Sequence, residues 1–173
     1  PAISDPELPS QITDALDRRG LPPEALIVEI TEDLLLDNMG KTRVVFNKLR
    51  DKGIRVAIDD FGSGYSALWY LREFPVDEVK LDREFIAPIL THPASAAIVR
   101  AVVDLARALG VTPVAEGVEN TETVTRLLEY GCEVAQGYLY SPPLSASAIE
   151  KVLEGRSGVR AMTPTAPGAA RSN

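Results

Sequence analysis

Asp59-Asp60-Phe61-Gly62-Ser63-Gly64-Tyr65 follows the mostly apolar run 54–58. The run is rich in β-branched residues, which predicts a strand with two adjacent carboxylates where the strand ends and a loop begins. Neighbouring strand residues point to opposite sides, but a strand end can turn and direct both to one site. Adjacent carboxylates repel each other unless a cation lies between them, and carboxylate oxygens suit Mg²⁺ or Mn²⁺. Taken alone, the stretch is equally consistent with an Asp-rich turn that caps the next helix.

Outward from this stretch, short apolar strands alternate with amphipathic helices. The predicted strands are 26–30, 54–58, 76–81, 111–115 and 133–135. The predicted helices are 8–19, 39–52, 66–73, 94–109, 121–130 and 145–153. Such alternation is typical of parallel strands joined by helical crossovers, and mostly apolar strands indicate a sheet buried on both faces. The sequence therefore predicts an α/β protein.

Polar side chains mark the end of every predicted strand. In chain order they are Glu29, Asp59 with Asp60, Lys80 with Asp82, Glu116 with Glu119, and Gln136. In a (β/α)8 barrel of the TIM type, all strand carboxyl ends meet around one mouth, so these residues can form one site. In an open doubly wound sheet the outer strands lie too far apart for that. The barrel is therefore favoured, and the open sheet remains the alternative.

Composition excludes several classes of partner. The 173 residues carry a formal net charge of −7, which argues against DNA or RNA binding and against an anionic membrane surface. No apolar run is long enough to span a bilayer, so no membrane contact is expected from this segment. A single cysteine, Cys132, excludes an internal disulfide and fits a reducing, cytoplasmic location.

Several ordered motifs carry a family resemblance. They are Glu29-Ile-Thr-Glu32, Asp59-Asp-Phe-Gly-Ser-Gly-Tyr-Ser66, Val79-Lys80-Leu-Asp82, Ala115-Glu116-Gly-Val-Glu119 and Gln136-Gly137-Tyr138. Together they resemble the EAL-domain cyclic-di-GMP phosphodiesterases over about residues 1–154. The resemblance implies a hydrolase of bacterial second-messenger signalling, which converts cyclic di-GMP to linear pGpG with two Mg²⁺ or Mn²⁺ ions. Paired ions of this kind activate a water and stabilise charge on the attacking and leaving oxygens.

The resemblance also implies roles for individual residues. It makes Glu29, Asp59 and Asp60 metal ligands, and it gives Lys80, Glu116 and Asp59 catalytic roles. Glu32 resembles an anchor for the loop after Asp60, while Asp82, Glu119 and Gln136 resemble residues that orient the site or contact substrate. Each has a structural alternative: Asp59 and Asp60 as a helix cap, Lys80 in an ion pair with Asp82, and the acids as solvated or paired strand ends. A homodimer is a further expectation.

The chain also departs from the family pattern. The family domain is longer, so we expect residues 1–154 to be its C-terminal part, a partial barrel of about five βα units, followed by a disordered tail over 155–173. The signature Glu-Ala-Leu would lie upstream. Glu24-Ala25-Leu26 has the same letters but begins a strand, so it should lie at the far end of the barrel from the site. Two alternatives remain open: a catalytically inactive EAL remnant that binds cyclic di-GMP or a protein partner, and an unrelated metal-dependent barrel enzyme.

Overall fold

The computed structural model of the chain describes residues 5–31, 39–62 and 71–154. Two compact units are present, Pro1–Leu139 and Tyr140–Asn173, and each is described by itself. The predicted disordered tail, Glu32 and most of the predicted 66–73 helix lie outside the described residues. Within them, no helix combines the length and apolar character needed to cross a membrane.

The first unit contains a five-stranded parallel sheet. Its strands are β1 Ile27–Thr31, β2 Arg55–Phe61, β3 Glu78–Leu81, β4 Thr112–Ala115 and β5 Val134–Ala135. They pair in chain order, β1-β2-β3-β4-β5. A doubly wound sheet reverses its order at a switch point, whereas a barrel keeps neighbours in sequence. The order of the described strands therefore confirms the α/β prediction and favours the barrel-type arrangement over the open alternative.

Helices connect the strands of the first unit. They are α1 Leu8–Asp17, α2 Met39–Asp51, α3 Arg83–Ile86, α4 Pro93–Ala108 and α5 Thr121–Tyr130, with a 3₁₀ turn at Pro23–Ala25. The ends of α5 follow from local chemistry. The Asn120 side chain accepts a hydrogen bond from the Thr123 backbone N–H at 2.8 Å, and Gly131 ends the helix in the left-handed conformation (φ 83°).

The core of the first unit forms two apolar clusters. The larger lies between the sheet and α2, where Phe46, Leu49 and Ile58 are fully buried and the Phe46 and Phe74 rings meet edge to face at 5.4 Å. The second lies under α4 and α5 and includes Val99, Leu127 and the buried Cys132 thiol. Burial raises the pKa of Cys132 to about 11, so this thiol is an apolar core group and not a nucleophile.

The second unit contains α6, Ala146–Leu153, as predicted from the sequence. Ser145 is its N-cap residue, since the Ser145 Oγ accepts a hydrogen bond from the Ala148 backbone N–H at 3.3 Å.

Candidate active site

The parallel register brings the polar strand ends to one edge of the sheet. Thr31 of β1 stands opposite Asp59 of β2, and Lys80 of β3 stands opposite Val114 of β4. Glu116 follows β4 directly, and its backbone N–H donates to the Leu81 carbonyl at 3.1 Å. Side chains from β1, β2, β3 and β4 therefore converge at the carboxyl edge. The sequence predicted this convergence from the strand ends alone.

The two consecutive aspartates lie within β2 and not in a loop after it. The strand continues to Phe61, so the predicted end at residue 58 was wrong. Asp60 has a φ of 54°, which is left-handed, and the β2–β3 register shifts between Ile58 and Phe61. Asp is one of the few non-glycine residues that tolerate this conformation. This irregularity lets two neighbouring side chains reach one site although both belong to the same strand.

Three carboxylates form a compact cluster at this edge. Asp59, Asp60 and Glu116 each place one oxygen within 4.8 Å of the others. All three side chains are partly buried, so water screens their mutual repulsion only in part. An all-oxygen donor set at this spacing suits a hard divalent cation such as Mg²⁺, Mn²⁺ or Ca²⁺.

Lys80 is the cation that the described residues place at this cluster. Its Nζ lies 2.7 Å from Glu116 Oε1, 3.0 Å from Glu29 Oε2 and 3.1 Å from Asp59 Oδ1, and its side chain is 8% exposed. Burial would lower the lysine pKa, but the contacts with Glu116, Glu29 and Asp59 outweigh burial and raise the pKa above its ordinary value. Lys80 is therefore a permanent positive charge at the centre of three acids.

Asp59 has an oxygen that is short of partners. Its Oδ1 is buried and accepts no hydrogen bond of normal geometry among the described residues, because the 3.1 Å contact to Lys80 is an ion pair without suitable angles. A buried carboxylate oxygen of this kind is costly unless another cation or donor reaches it. The residues present therefore fit a bound divalent cation, which would contact this oxygen.

Two members of the cluster resist ionisation. Burial raises the pKa of Asp60, and the nearby Asp59 and Asp82 carboxylates raise it further. Burial likewise raises the pKa of Glu116, although Lys80 opposes the shift. Burial is therefore the main cause of both pKa shifts, and the neighbouring carboxylates add to it because one ammonium group does not fully compensate them.

Glu116 is held from two sides. Lys80 contacts its Oε1, and the Gln136 side-chain amide donates to the same oxygen at 2.5 Å. The Gln136 backbone is itself fixed, because its N–H donates to the Ala115 carbonyl at 2.8 Å. The sequence predicted Gln136 as an orienting residue, and its contact in the structure is with Glu116.

Among the described residues, Asp82 and Glu119 contact the helix after β3 and not Lys80. Asp82 Oδ1 accepts a hydrogen bond from the Glu84 backbone N–H at 2.6 Å, so it caps α3. Glu119 Oε1 lies 2.7 Å from the Arg83 guanidinium. The alternative pairing of Lys80 with Asp82 is absent from the ion pairs of the described residues, which place Lys80 with Glu29, Asp59 and Glu116.

Glu29 and Glu24 lie at opposite edges of the sheet, the carboxyl edge and the amino edge. Glu29 contacts Lys80 beside the cluster, and its side chain is 48% exposed, so its carboxylate has room to rotate. Glu24 lies in the 3₁₀ turn before β1, and its Oε1 is close to Gly53 before β2, at the amino edge of the sheet. The Glu24-Ala25-Leu26 triplet is therefore distant from the candidate site, as its position in the sequence predicted.

Gly137 sits where two backbones touch. A Cβ at this position would overlap the Val118 backbone N and O atoms, and Gly137 has a φ of 155°. Val118 is tied to this segment by hydrogen bonds from its N–H to the Gln136 carbonyl and from the Leu139 N–H to its carbonyl, both 3.0 Å. Glycine is thus required for the approach that keeps Gln136 beside Glu116.

Replacing Gly137 with alanine is expected to destabilise the chain by about 2 kcal/mol or more, through overlap added to backbone strain. Urea unfolding followed by circular dichroism measures this loss. Gly110→Ala is the matched control, because Gly110 also has a left-handed φ of 74° but open space around a Cβ. Gly110→Ala should cost about 1 kcal/mol, and equal losses in both variants would contradict the role of close packing.

Comparison with known proteins agrees with this geometry. The family profile described as "EAL domain" matches residues 2–143. The protein RocR of Pseudomonas aeruginosa, named a cyclic di-GMP phosphodiesterase, is 44% identical over 137 residues, which are 79% of this chain. The chain spans 35% of the length of RocR and about a fifth of the length of several other curated relatives.

Solved structures show the same relationship. The EAL domain of Mycobacterium smegmatis DcpA superposes with a TM-score of 0.82 at 39% identity, covering 88% of this chain and 69% of that one. A manganese and cyclic-di-GMP complex of Klebsiella pneumoniae BlrP1 superposes with a TM-score of 0.76 at 38% identity, covering 80% of this chain and 36% of that one. With the match over residues 2–143, these similarities establish that the chain belongs to the EAL domain family.

Proposed function

We propose that this chain hydrolyses cyclic di-GMP to linear pGpG with Mg²⁺ or Mn²⁺ as its cofactor. The observation that carries the proposal is the cluster of Asp59, Asp60 and Glu116, whose oxygens lie within 4.8 Å of one another beside Lys80. The names of relatives support the choice of substrate, since RocR and NbdA are both called cyclic di-GMP phosphodiesterases.

The carboxylates are the proposed metal ligands. Asp59 and Asp60 supply neighbouring donors from β2, and Glu116 supplies a third from the segment after β4. Glu29 is a further proposed ligand, because its half-exposed side chain can turn from Lys80 towards the cluster. Bound divalent cations supply positive charge for a phosphodiester and lower the pKa of a water.

Lys80 and Gln136 position the other groups. An ammonium has three N–H donors, and the Lys80 Nζ lies within 3.1 Å of three carboxylates. When cations neutralise those carboxylates, Lys80 is free to exchange one contact for a water or for a phosphate oxygen. Gln136 fixes the direction of the Glu116 carboxylate, which can then ligate a metal or accept a proton from a water.

The test is conversion of cyclic di-GMP to pGpG by the 173-residue chain with Mn²⁺ or Mg²⁺, followed by chromatography. Turnover that disappears when a chelator removes the metal supports the proposal. Tight binding of cyclic di-GMP without turnover would favour the inactive binding module instead. Absence of both binding and turnover would contradict the substrate assignment.

Metal affinity is expected to fall as the pH is lowered. Cations bind the ionised carboxylates, and Asp60 and Glu116 have raised pKa values, so protons compete at a higher pH than at ordinary Asp and Glu residues. Calorimetric titration with Mn²⁺ from mildly alkaline to mildly acidic pH should show a rising dissociation constant and proton release. A dissociation constant that stays flat over this range would contradict the assignment of these residues as ligands.

A further inference from the structure

We propose that Arg83 is a positioning residue, which fixes residues 116–119 and thereby holds the Glu116 carboxylate at the metal cluster. This inference rests on the proposed function of the cluster as a metal site. No motif of the sequence singled out Arg83; its position became informative only through its contacts. The 116–119 turn, which follows β4, is called the Glu116 loop below.

The stem of Arg83 packs directly on the backbone of the Glu116 loop. A Cβ added to Gly117 would lie 2.7 Å from Arg83 Cβ and 2.9 Å from Arg83 Cδ, and it would overlap Arg83 Cγ. Gly117 also has a left-handed φ of 66°. Contact this close leaves no gap between the arginine stem and the peptide that follows Glu116, so the loop cannot move towards α3.

The guanidinium end of Arg83 holds the other end of the same loop. It lies 2.7 Å from Glu119 Oε1, and both side chains are at least half exposed. An exposed ion pair adds little to the free energy of unfolding. Its effect here is geometric, because one side chain contacts both Gly117 and Glu119 and so spans the loop.

Arg83 can act in this way because its own base is fixed. It is the first residue of α3, which Asp82 caps by accepting the Glu84 N–H, and its carbonyl accepts the Ala87 N–H at 2.8 Å. Asp82 follows β3, the strand that carries Lys80. The arginine therefore links the β3 end of the site to the β4 end.

The remaining contacts of the Glu116 loop come from other directions. The Glu116 N–H donates to the Leu81 carbonyl, and the Val118 N–H donates to the Gln136 carbonyl. These bonds fix the backbone from the β3 and β5 sides, and Arg83 covers Gly117 and reaches Glu119. Loss of Arg83 frees one side of the loop, so the Glu116 oxygen would depart from the cluster part of the time.

The experiment measures Mn²⁺ binding to the 173-residue chain without substrate, from the electron paramagnetic resonance signal of free Mn²⁺. Arg83→Ala is expected to weaken Mn²⁺ binding by about 10-fold, the effect typical of groups that orient a metal ligand. Arg83→Lys keeps a long stem over Gly117 and a cation for Glu119, so it should recover most of the affinity. Glu119→Gln should weaken binding in the same direction and keeps the side-chain volume.

Arg100→Ala is the matched control, because Arg100 is an exposed arginine of α4 whose ion-pair partner is Asp104. Wild-type affinity in Arg83→Ala or in Glu119→Gln would overturn the inference. If Arg83→Ala does not fold, Glu119→Gln and Arg83→Lys decide the question. A wild-type chain that binds Mn²⁺ but does not hydrolyse cyclic di-GMP would contradict the proposed function alone, since binding is measured without substrate.

Discussion

Asp59→Asn is expected to reduce hydrolysis of cyclic di-GMP by on the order of 10²–10³-fold or more, because it removes the charge of a proposed metal ligand at the centre of the cluster. Asp59 contacts Lys80 at 3.1 Å, its oxygen lies within 4.8 Å of those of Asp60 and Glu116, and its buried Oδ1 has no other partner in the described chain. Asparagine has the same shape, so the variant changes charge and leaves packing intact. Mn²⁺ affinity should fall together with turnover.

The control for Asp59→Asn is Asp104→Asn on α4, where the carboxylate is exposed and faces Arg100 at 3.9 Å. That variant should keep wild-type turnover and metal affinity. The free energy of unfolding of the Asp59 variant should lie within about 1 kcal/mol of the wild-type value, because the lost attraction to Lys80 is offset by relief of carboxylate repulsion. Metal affinity unchanged by Asp59→Asn would contradict the assignment of Asp59 as a ligand, whatever the activity.

Lys80→Met is expected to make stability depend on divalent cations. Removing the ammonium leaves Glu29, Asp59 and Glu116 without their shared counter-charge. Breaking a buried pair costs about 3–5 kcal/mol, and we expect about 2–3 kcal/mol here because Glu29 remains half exposed to water. Thermal unfolding in a chelator should show this loss, and added Mn²⁺ should restore more stability to the variant than to wild type.

The control is Lys48→Met, since Lys48 is an exposed residue of α2 whose Nζ donates to the Pro6 carbonyl at 3.2 Å. It should unfold like wild type with and without Mn²⁺. Turnover should be lost in Lys80→Met even with saturating metal, because the cationic side chain that the described residues place at the cluster is then missing and cannot orient a water or phosphate. Full turnover at saturating Mn²⁺ would show that Lys80 serves only to hold the carboxylates.

Most of the fold was readable from periodicity and helix ends. The helix at 121–130 was predicted with its observed bounds because its apolar residues recur at helical spacing and Gly131 is a strong stop signal. The Asn120 cap at its start became evident only in the structure. The strand at residue 55 was predicted to end too early, because aspartate disfavours strands and Gly62 signals a turn. Pairing with β3 overrode that local preference and carried β2 on to Phe61. The short helix at Arg83–Ile86 was missed because one turn has no periodicity.

The candidate site was predicted at the level of residues but not of contacts. The strand ends and the family motifs pointed to Glu29, Lys80 and Glu116, and the structure brings all three together. Their arrangement around a single ammonium, and the grouping of Glu116 with Asp59 and Asp60, depend on side-chain directions that a motif does not encode. Glu32 lies outside the described residues and stays a prediction.

The left-handed backbone at Asp60 has a consequence for how a cation would be captured. Two of the three clustered donors belong to consecutive residues, so a cation bound by both would close a chelate that requires almost no chain closure. The relative direction of the two side chains depends in part on the backbone torsion at residue 60, which asparagine and glycine accept readily and β-branched residues resist. A β-branched aliphatic residue at position 60 would therefore remove one of the two donors and also strain the backbone of β2, whereas asparagine would keep a side-chain oxygen and accept the torsion.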